Sequence, residues 1–240
     1  LTNRPLPLYH QLQQALTERI ERGEWQPGDQ LPTIRELCQQ YGVSRMTVVQ
    51  ALSLLSQKGL VTSQQGKGIF VAQPKIEHGP VGLVSFTEEI TRRGYTPSSR
   101  VLSLRQEPAG VEVADRLQIA PGDSVCVIER LRIADDLPMG VQRAYLPERL
   151  FPGLASVTEP IESLYRLLQE RYGVAPTAAT ESYEPALADR ATAALLEIRP
   201  GSPVFVVERL TRDQRNRVIE WVSSVLRGDR YKVVLRLERL

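Results

Sequence analysis

The chain has 240 residues, 42% of them hydrophobic and 24% charged, with a formal net charge of +2. That is ample apolar material for two cores, and too balanced a charge for binding driven by bulk positive potential. Two cysteines, Cys38 and Cys126, and two histidines, His10 and His78, stand apart, which argues against a disulfide framework and against a metal site of ordinary ligand spacing. No apolar run approaches the roughly 18 residues of a membrane span and no signal sequence is evident, so a reducing cytoplasm and no membrane contact are expected.

In chain order, Leu8, Leu12, Leu16 and Ile20 recur every fourth residue and predict an amphipathic helix ending at Gly23. Thr33 with Glu36 spells a capping box for a second helix, with Leu37, Cys38 and Tyr41 on one side and Gly42 as its stop. Ser44 caps a third; Val43 can staple onto Val48, and Val48, Ala51, Leu52 and Leu55 continue the buried stripe. Gly59 closes that helix. Val61 to Ser63 and Ile69 to Val71 read as hairpin strands around the tip QQGKG.

Two short helices at a tight turn, then a glycine-tipped hairpin, outline a winged helix-turn-helix. In DNA-binding examples the start of the second helix enters the major groove, and here it presents Arg45, Thr47, Val49 and Gln50. Arg45 suits a phosphate or a guanine, and Gln50 an adenine. Lys67, between Gly66 and Gly68, is free to approach a phosphate backbone. The same outline also serves helical domains that bind no DNA.

Residues 73 to 80, rich in proline and polar side chains without periodicity, read as a linker between a small domain, 1 to 72, and a larger one, 81 to 240. The larger part contains an internal echo. Ile119, Pro121, Gly122, Glu129, Arg130 and Leu131 are answered at constant spacing by Ile198, Pro200, Gly201, Glu208, Arg209 and Leu210. Each copy reads helix, Pro-Gly turn, long alternating strand, tight turn, return strand. The expectation is an α+β domain of two pseudo-symmetric halves in one antiparallel sheet, with helices against it and a ligand cleft between the halves.

The segments LPLYHQL, PGDQLPTIRELCQQYGVSRMTVVQAL and KGLVTSQQGKGIFV closely resemble the N-terminal domain of GntR-type bacterial transcription regulators over about residues 5 to 72. The resemblance implies DNA contacts from Arg35, Ser44, Arg45, Thr47, Gly66, Lys67 and Gly68. Two positions depart from it. The family commonly has glutamate at Ile34 and arginine at Val49; a valine there can touch a thymine methyl instead, so an altered operator preference is expected.

Residues 79 to 237, through SFTEEITRRGY, ERLRIADDLPM, AYLP, ESLYRLLQERYG and RGDRYK, resemble the UTRA effector domain of the HutC branch, whose fold is similar to chorismate lyase. From its sugar-phosphate sensors the resemblance implies ligand contacts at Ser85, Phe86, Arg130, Arg132, Ser163, Tyr165 and Glu220. Arg130 and Arg132 would share one strand face, where two guanidinium groups can clamp a phosphate or carboxylate. Ser163 would head a helix whose first N–H groups favour an anion. Spacing alone equally suits cross-strand ion pairs for the arginines, a helix cap for Ser163 and an arginine partner for Glu220. Gln142 and Leu226 stand where those sensors commonly have glutamate and tyrosine facing the organic part of the ligand. An anionic ligand is kept, and an amino sugar is disfavoured. Elsewhere the branch accepts carboxylates such as urocanate.

The combined expectation is a cytoplasmic, homodimeric, ligand-responsive transcription factor without cofactor or metal: a repressor released from a DNA operator by a small anionic effector. A lyase-like enzyme is one alternative, although no nucleophile stands beside a base. A DNA-binding dimer that senses nothing is the other.

Overall fold

The computed structural model describes residues 6–64, 66–72, 75–78 and 82–235. It divides into two compact units, residues 1–75 and 76–240. Among the described residues no helix is long and apolar enough to cross a membrane.

The first unit comprises α1 (Leu8–Glu21), α2 (Ile34–Tyr41), α3 (Arg45–Gln57) and the antiparallel hairpin of β1 (Val61–Gln64) and β2 (Gly68–Val71). Helix α2 starts where its capping box dictates: Thr33 Oγ1 accepts from the Glu36 N–H while the Glu36 carboxylate accepts from the Thr33 N–H. It stops at Gly42, whose φ of 62° is left-handed. Leu12, Leu16, Leu37, Val48, Ala51 and Leu55 are fully buried together, and each leucine or valine so enclosed contributes about 1.5–3 kcal/mol. Leu8 does not join them. As the first residue of α1 it stays 48% exposed, and Tyr9 packs against the core instead.

The second unit is built on a six-stranded antiparallel sheet. Its members are β4 (Pro97–Pro108), β5 (Ser124–Ala134), β6 (Leu137–Pro147), β7 (Pro176–Leu187), β8 (Pro203–Asp213) and β9 (Val218–Arg227), in the order β4-β5-β6-β9-β8-β7. The echo read from the sequence is realised as matching halves joined between β6 and β9. Helix α5 (Val111–Leu117) precedes β5 as α7 (Arg190–Leu196) precedes β8, and both end on a left-handed non-glycine residue, Gln118 at φ 55° and Glu197 at φ 54°. Helices α4 (Phe86–Arg92) and α6 (Leu164–Tyr172) occupy equivalent places before β4 and β7.

Both faces of the sheet are covered. Cys126, Ile128, Ala144 and Leu146 pack with Leu164 and Leu168 of α6, while Val125, Val127 and Trp221 pack with Ala114 and Leu117 of α5. Strand β5 is therefore buried on both sides, which is why it reads as a nearly unbroken apolar run interrupted by arginines. Burial also raises the Cys126 thiol to a pKa of about 12, which makes it a small core side chain rather than a nucleophile.

Within the segment read as linker, residues 73, 74, 79 and 80 lie outside the described residues. Ile76–His78 forms β3, paired in parallel with β10 (Tyr231–Val233). Three residues without alternation carry no readable strand signal, and the pairing depends on a partner far along the chain.

Candidate functional site

Two places concentrate exposed or buried polar groups in the way function requires. The first is the outer face of α3 and the hairpin. Ser44 caps α3 by accepting from the Thr47 N–H at 3.2 Å, and the Ser44 and Thr47 hydroxyls lie 2.9 Å apart. Beyond this cap Arg45, Met46, Val49 and Gln50 are exposed, and Arg35 of α2 is exposed as well. Met46 is 63% and Val49 39% exposed, two apolar side chains turned outward on one stretch of helix. Ile34, in contrast, packs partly against the domain core.

A side-chain tether holds the hairpin tip. Gln30 Nε2 donates to the Lys67 carbonyl at 2.8 Å. Gly68, at φ 126°, leaves the space this amide occupies, since a Cβ there would lie 2.5 Å from Gln30 Nε2. Lys67 is thereby held exposed at the tip between Gly66 and Gly68, a point charge on a positioned loop rather than on a floppy one.

The second place is a cavity in the second unit lined by Ser85, Phe86, Thr87, Arg130, Arg132, Gln142, Ser163, Leu164, Tyr165, Arg209, Glu220 and Val222. Two pseudo-equivalent helix starts meet there. Ser85 caps α4 in a capping box with Glu88, and Ser163 caps α6. The Thr87 hydroxyl donates to the Glu162 carbonyl at 2.8 Å, joining the two starts. The space between them is about 20 Å³, room for about one water.

The floor is cationic and buried. Arg130 is 1%, Arg132 5% and Glu220 2% exposed. Arg130 Nη2 donates to Gln142 Oε1 at 2.6 Å, whereas its Nε and Nη1 have no partner among the described residues. Arg132 donates through Nε to the same Gln142 oxygen at 3.2 Å and through Nη1 to Ser99 at 2.7 Å, with its guanidinium 4.8 Å above the Phe86 ring. Glu220 Oε2 accepts from Tyr165 and Thr211, each at 3.2 Å. Arg209 reaches the Tyr165 hydroxyl and the Val84 carbonyl through Nη1 and is paired with Glu181. Three guanidinium groups against two carboxylates leave one positive charge in excess.

Burial is the main cause of the perturbed acidities here. It lowers Arg130 to a pKa of about 10 against the pull of Glu220, and it lowers Arg132 as well, with the Arg130 charge adding to the effect. A guanidinium keeps its proton at physiological pH, so the depression measures charge that the protein does not fully compensate. An anion would compensate it. Tyr165 is raised to about 12 by burial first and the Glu220 charge second, and stays a neutral donor.

Of the side chains expected at an effector site, Ser85, Phe86, Arg130, Arg132, Gln142, Ser163, Tyr165 and Glu220 line this one cavity. Leu226 is not among the lining residues. It packs against the cluster of Ile90, Ala134 and Met139 and over Gly140, where a Cβ would come within 2.6 Å of the Leu226 Cδ2. Arg209 was missed, although the echo of Glu129-Arg130-Leu131 in Glu208-Arg209-Leu210 was visible and carried it to the same cavity. Thr87 gave no such sign.

Comparison with known proteins fits both units. Residues 8–71 match the model of the bacterial regulatory proteins, gntR family, and residues 92–232 that of the UTRA domain. The chain is 38% identical over 237 residues to the HTH-type transcriptional repressor NagR of Bacillus subtilis (strain 168), covering 98% of this chain and 97% of that protein. It is 32% identical over 236 residues to the mannosyl-D-glycerate transport/metabolism system repressor MngR of Escherichia coli (strain K12), covering 97% of each. The crystal structure of PhnF from Mycobacterium smegmatis superposes with a TM-score of 0.65 at 31% identity, covering 93% of this chain and 99% of that one. These relatives are transcription regulators, not enzymes, and the chain itself belongs to the gntR family of bacterial transcription regulators, with a UTRA domain following its DNA-binding domain.

Proposed function

We propose that the chain is a homodimeric repressor that leaves its DNA operator when a small anionic metabolite enters the cavity floored by Arg130 and Arg132. The observation that carries this reading is that two nitrogens of Arg130, Nε and Nη1, have no partner among the described residues at 1% exposure. A buried donor without an acceptor costs about 1–3 kcal/mol, and more when charged, a cost that a bound phosphate or carboxylate removes. Relatives named as repressors, one of them for mannosyl-D-glycerate metabolism, support a sugar-derived acid or phosphate as the ligand class.

On the DNA side, Arg45, Thr47, Val49 and Gln50 meet base edges and phosphates from α3, Ser44 and Arg35 flank them, and Lys67 with Gly66 and Gly68 follows the backbone. A two-fold dimer places two such helices about 34 Å apart, one turn of DNA. The narrow cavity admits the ligand by parting the starts of α4 and α6, which the Thr87–Glu162 bond joins, and the ligand therefore favours the opened state. Release follows if that state binds DNA less well, by about 1–3 kcal/mol in ordinary allosteric couplings.

The test is fluorescence anisotropy of a duplex that the protein itself selects from a random pool, titrated with sugar phosphates, phosphonates and small carboxylic acids. Release by an anionic compound, and not by the matching neutral sugar, is the expected result. Anions that bind while the duplex stays held would favour a dimer that senses nothing, and turnover of an acid would favour the lyase reading.

A further inference from the structure

Gln142 sits on β6 directly across from Arg130 of β5, half-buried at the edge of the cavity. Its amide has two ends, one accepting and one donating, and here the choice between them is forced. Guanidinium nitrogens only donate, and both Arg130 Nη2 and Arg132 Nε point at the same terminal atom of Gln142, at 2.6 and 3.2 Å. That atom must be the oxygen. Both hydrogen bonds of Gln142 run through Oε1, which leaves its Nε2 without a partner among the described residues. The amide thus turns its donor end away from the arginines.

The rest of the cavity has the same polarity. Arg130 presents Nε and Nη1. The Ser85 and Ser163 oxygens each accept one backbone N–H, and each hydroxyl can still donate its proton to a ligand. Glu220 is the opposing acceptor: its Oε2 is taken by Tyr165 and Thr211, and it sits on β9 rather than beside the Gln142 amide on β6.

Resting on the anion-cavity reading, we infer that Gln142 is a specificity-determining residue. It selects a ligand that carries, next to its anionic group, an uncharged or anionic acceptor such as a hydroxyl, a carbonyl or a second acid oxygen, and it disfavours a primary ammonium at that place. Two arginines acting through one amide oxygen hold the donor in position, so a ligand acceptor meets a preset partner, while an ammonium meets another donor and two nearby cations.

Isothermal titration of the full-length chain with inorganic phosphate, 2-hydroxyethyl phosphate and 2-aminoethyl phosphate tests this. The two esters differ in one terminal group on a short flexible arm. The wild-type chain should bind inorganic phosphate, and should prefer the hydroxyl ester over the amino ester by about tenfold or more. In Gln142→Glu the carboxylate ties up both arginines and removes the surplus charge, so phosphate should bind more weakly and the preference should shrink about tenfold or reverse. In Gln142→Met, which has similar volume and no donor, the hydroxyl ester should lose more affinity than inorganic phosphate does.

A wild-type preference for the amino ester, or a preference unchanged in both variants, overturns the inference while leaving the anion cavity standing. Failure of the wild-type chain to bind any of the three overturns the cavity reading and this inference with it. Thermal melts of both variants separate loss of a contact from loss of the fold.

Discussion

Arg130 and Arg209 hold matching positions in the two repeats and reach the same cavity, but Arg209 is paired with Glu181 whereas Arg130 keeps two nitrogens, Nε and Nη1, without a partner among the described residues. The repeat supplied two equivalent guanidinium groups. One is paired with Glu181 and reaches Tyr165 and Val84; the other is the one we propose for a ligand.

Arg130→Met should therefore separate stability from function. The substitution removes a buried charge whose Nε and Nη1 have no partner among the described residues, a cost of about 1–3 kcal/mol, which offsets the lost attraction to Glu220. Glu220 retains its bonds from Tyr165 and Thr211, so stability should change little. Anion affinity should fall by about 2–5 kcal/mol. Calorimetric melting and titration on one preparation check both; a midpoint several degrees below wild type would show that Arg130 is structural.

The buried tyrosines predict an alkaline transition. Burial raises Tyr165 from 10 to about 12, and raises Tyr183 and Tyr231 as well, with the Glu181 hydrogen bond and the Glu89 charge adding to the effect in turn. A phenol that keeps its proton longer when folded contributes stability that is whole below pH 10 and is lost as pH climbs through about 12. Unfolding free energy followed by denaturant titration should fall across that window. In Tyr165→Phe the slope should be shallower, and an unchanged slope would count against its buried placement.

Arg45→Ala should weaken binding to a selected duplex by about 1–3 kcal/mol and leave the helical content intact, because Arg45 is exposed at the start of α3. Unchanged affinity in a mobility-shift titration would move the recognition surface elsewhere.

Lys67→Ala should lower affinity nearly evenly across sequences and reduce the slope of log affinity against log salt by about 1. The tether from Gln30 to the Lys67 carbonyl is a backbone contact and survives the substitution. A sequence-selective loss would mean that the hairpin reads bases.

Local signals were legible where one residue type settles the geometry. Thr33 with Glu36, Ser44 and Gly42 fixed helix ends, and the echo around Arg130 and Arg209 foretold the doubled sheet. What stayed hidden depends on partners distant in the chain. Leu226 falls outside the cavity lining because Gly140 lets it settle across the β6–β9 seam, a pairing that no local pattern encodes. Glu181, on an edge strand with little apolar alternation, gave no sign that it neutralises Arg209. Ile76–His78 needed Tyr231 to become a strand.

The most direct measurement of the central claim is reciprocity between the two sites. The affinity of the full chain for an anionic effector is measured with and without saturating selected duplex, and the affinity for the duplex with and without saturating effector. The account predicts that each lowers the other by the same factor, about 5- to 150-fold for couplings of 1–3 kcal/mol, and that Arg130→Ala with Arg132→Ala keeps duplex binding while abolishing the effect. An effector that binds equally tightly to the free and the DNA-bound chain would contradict it.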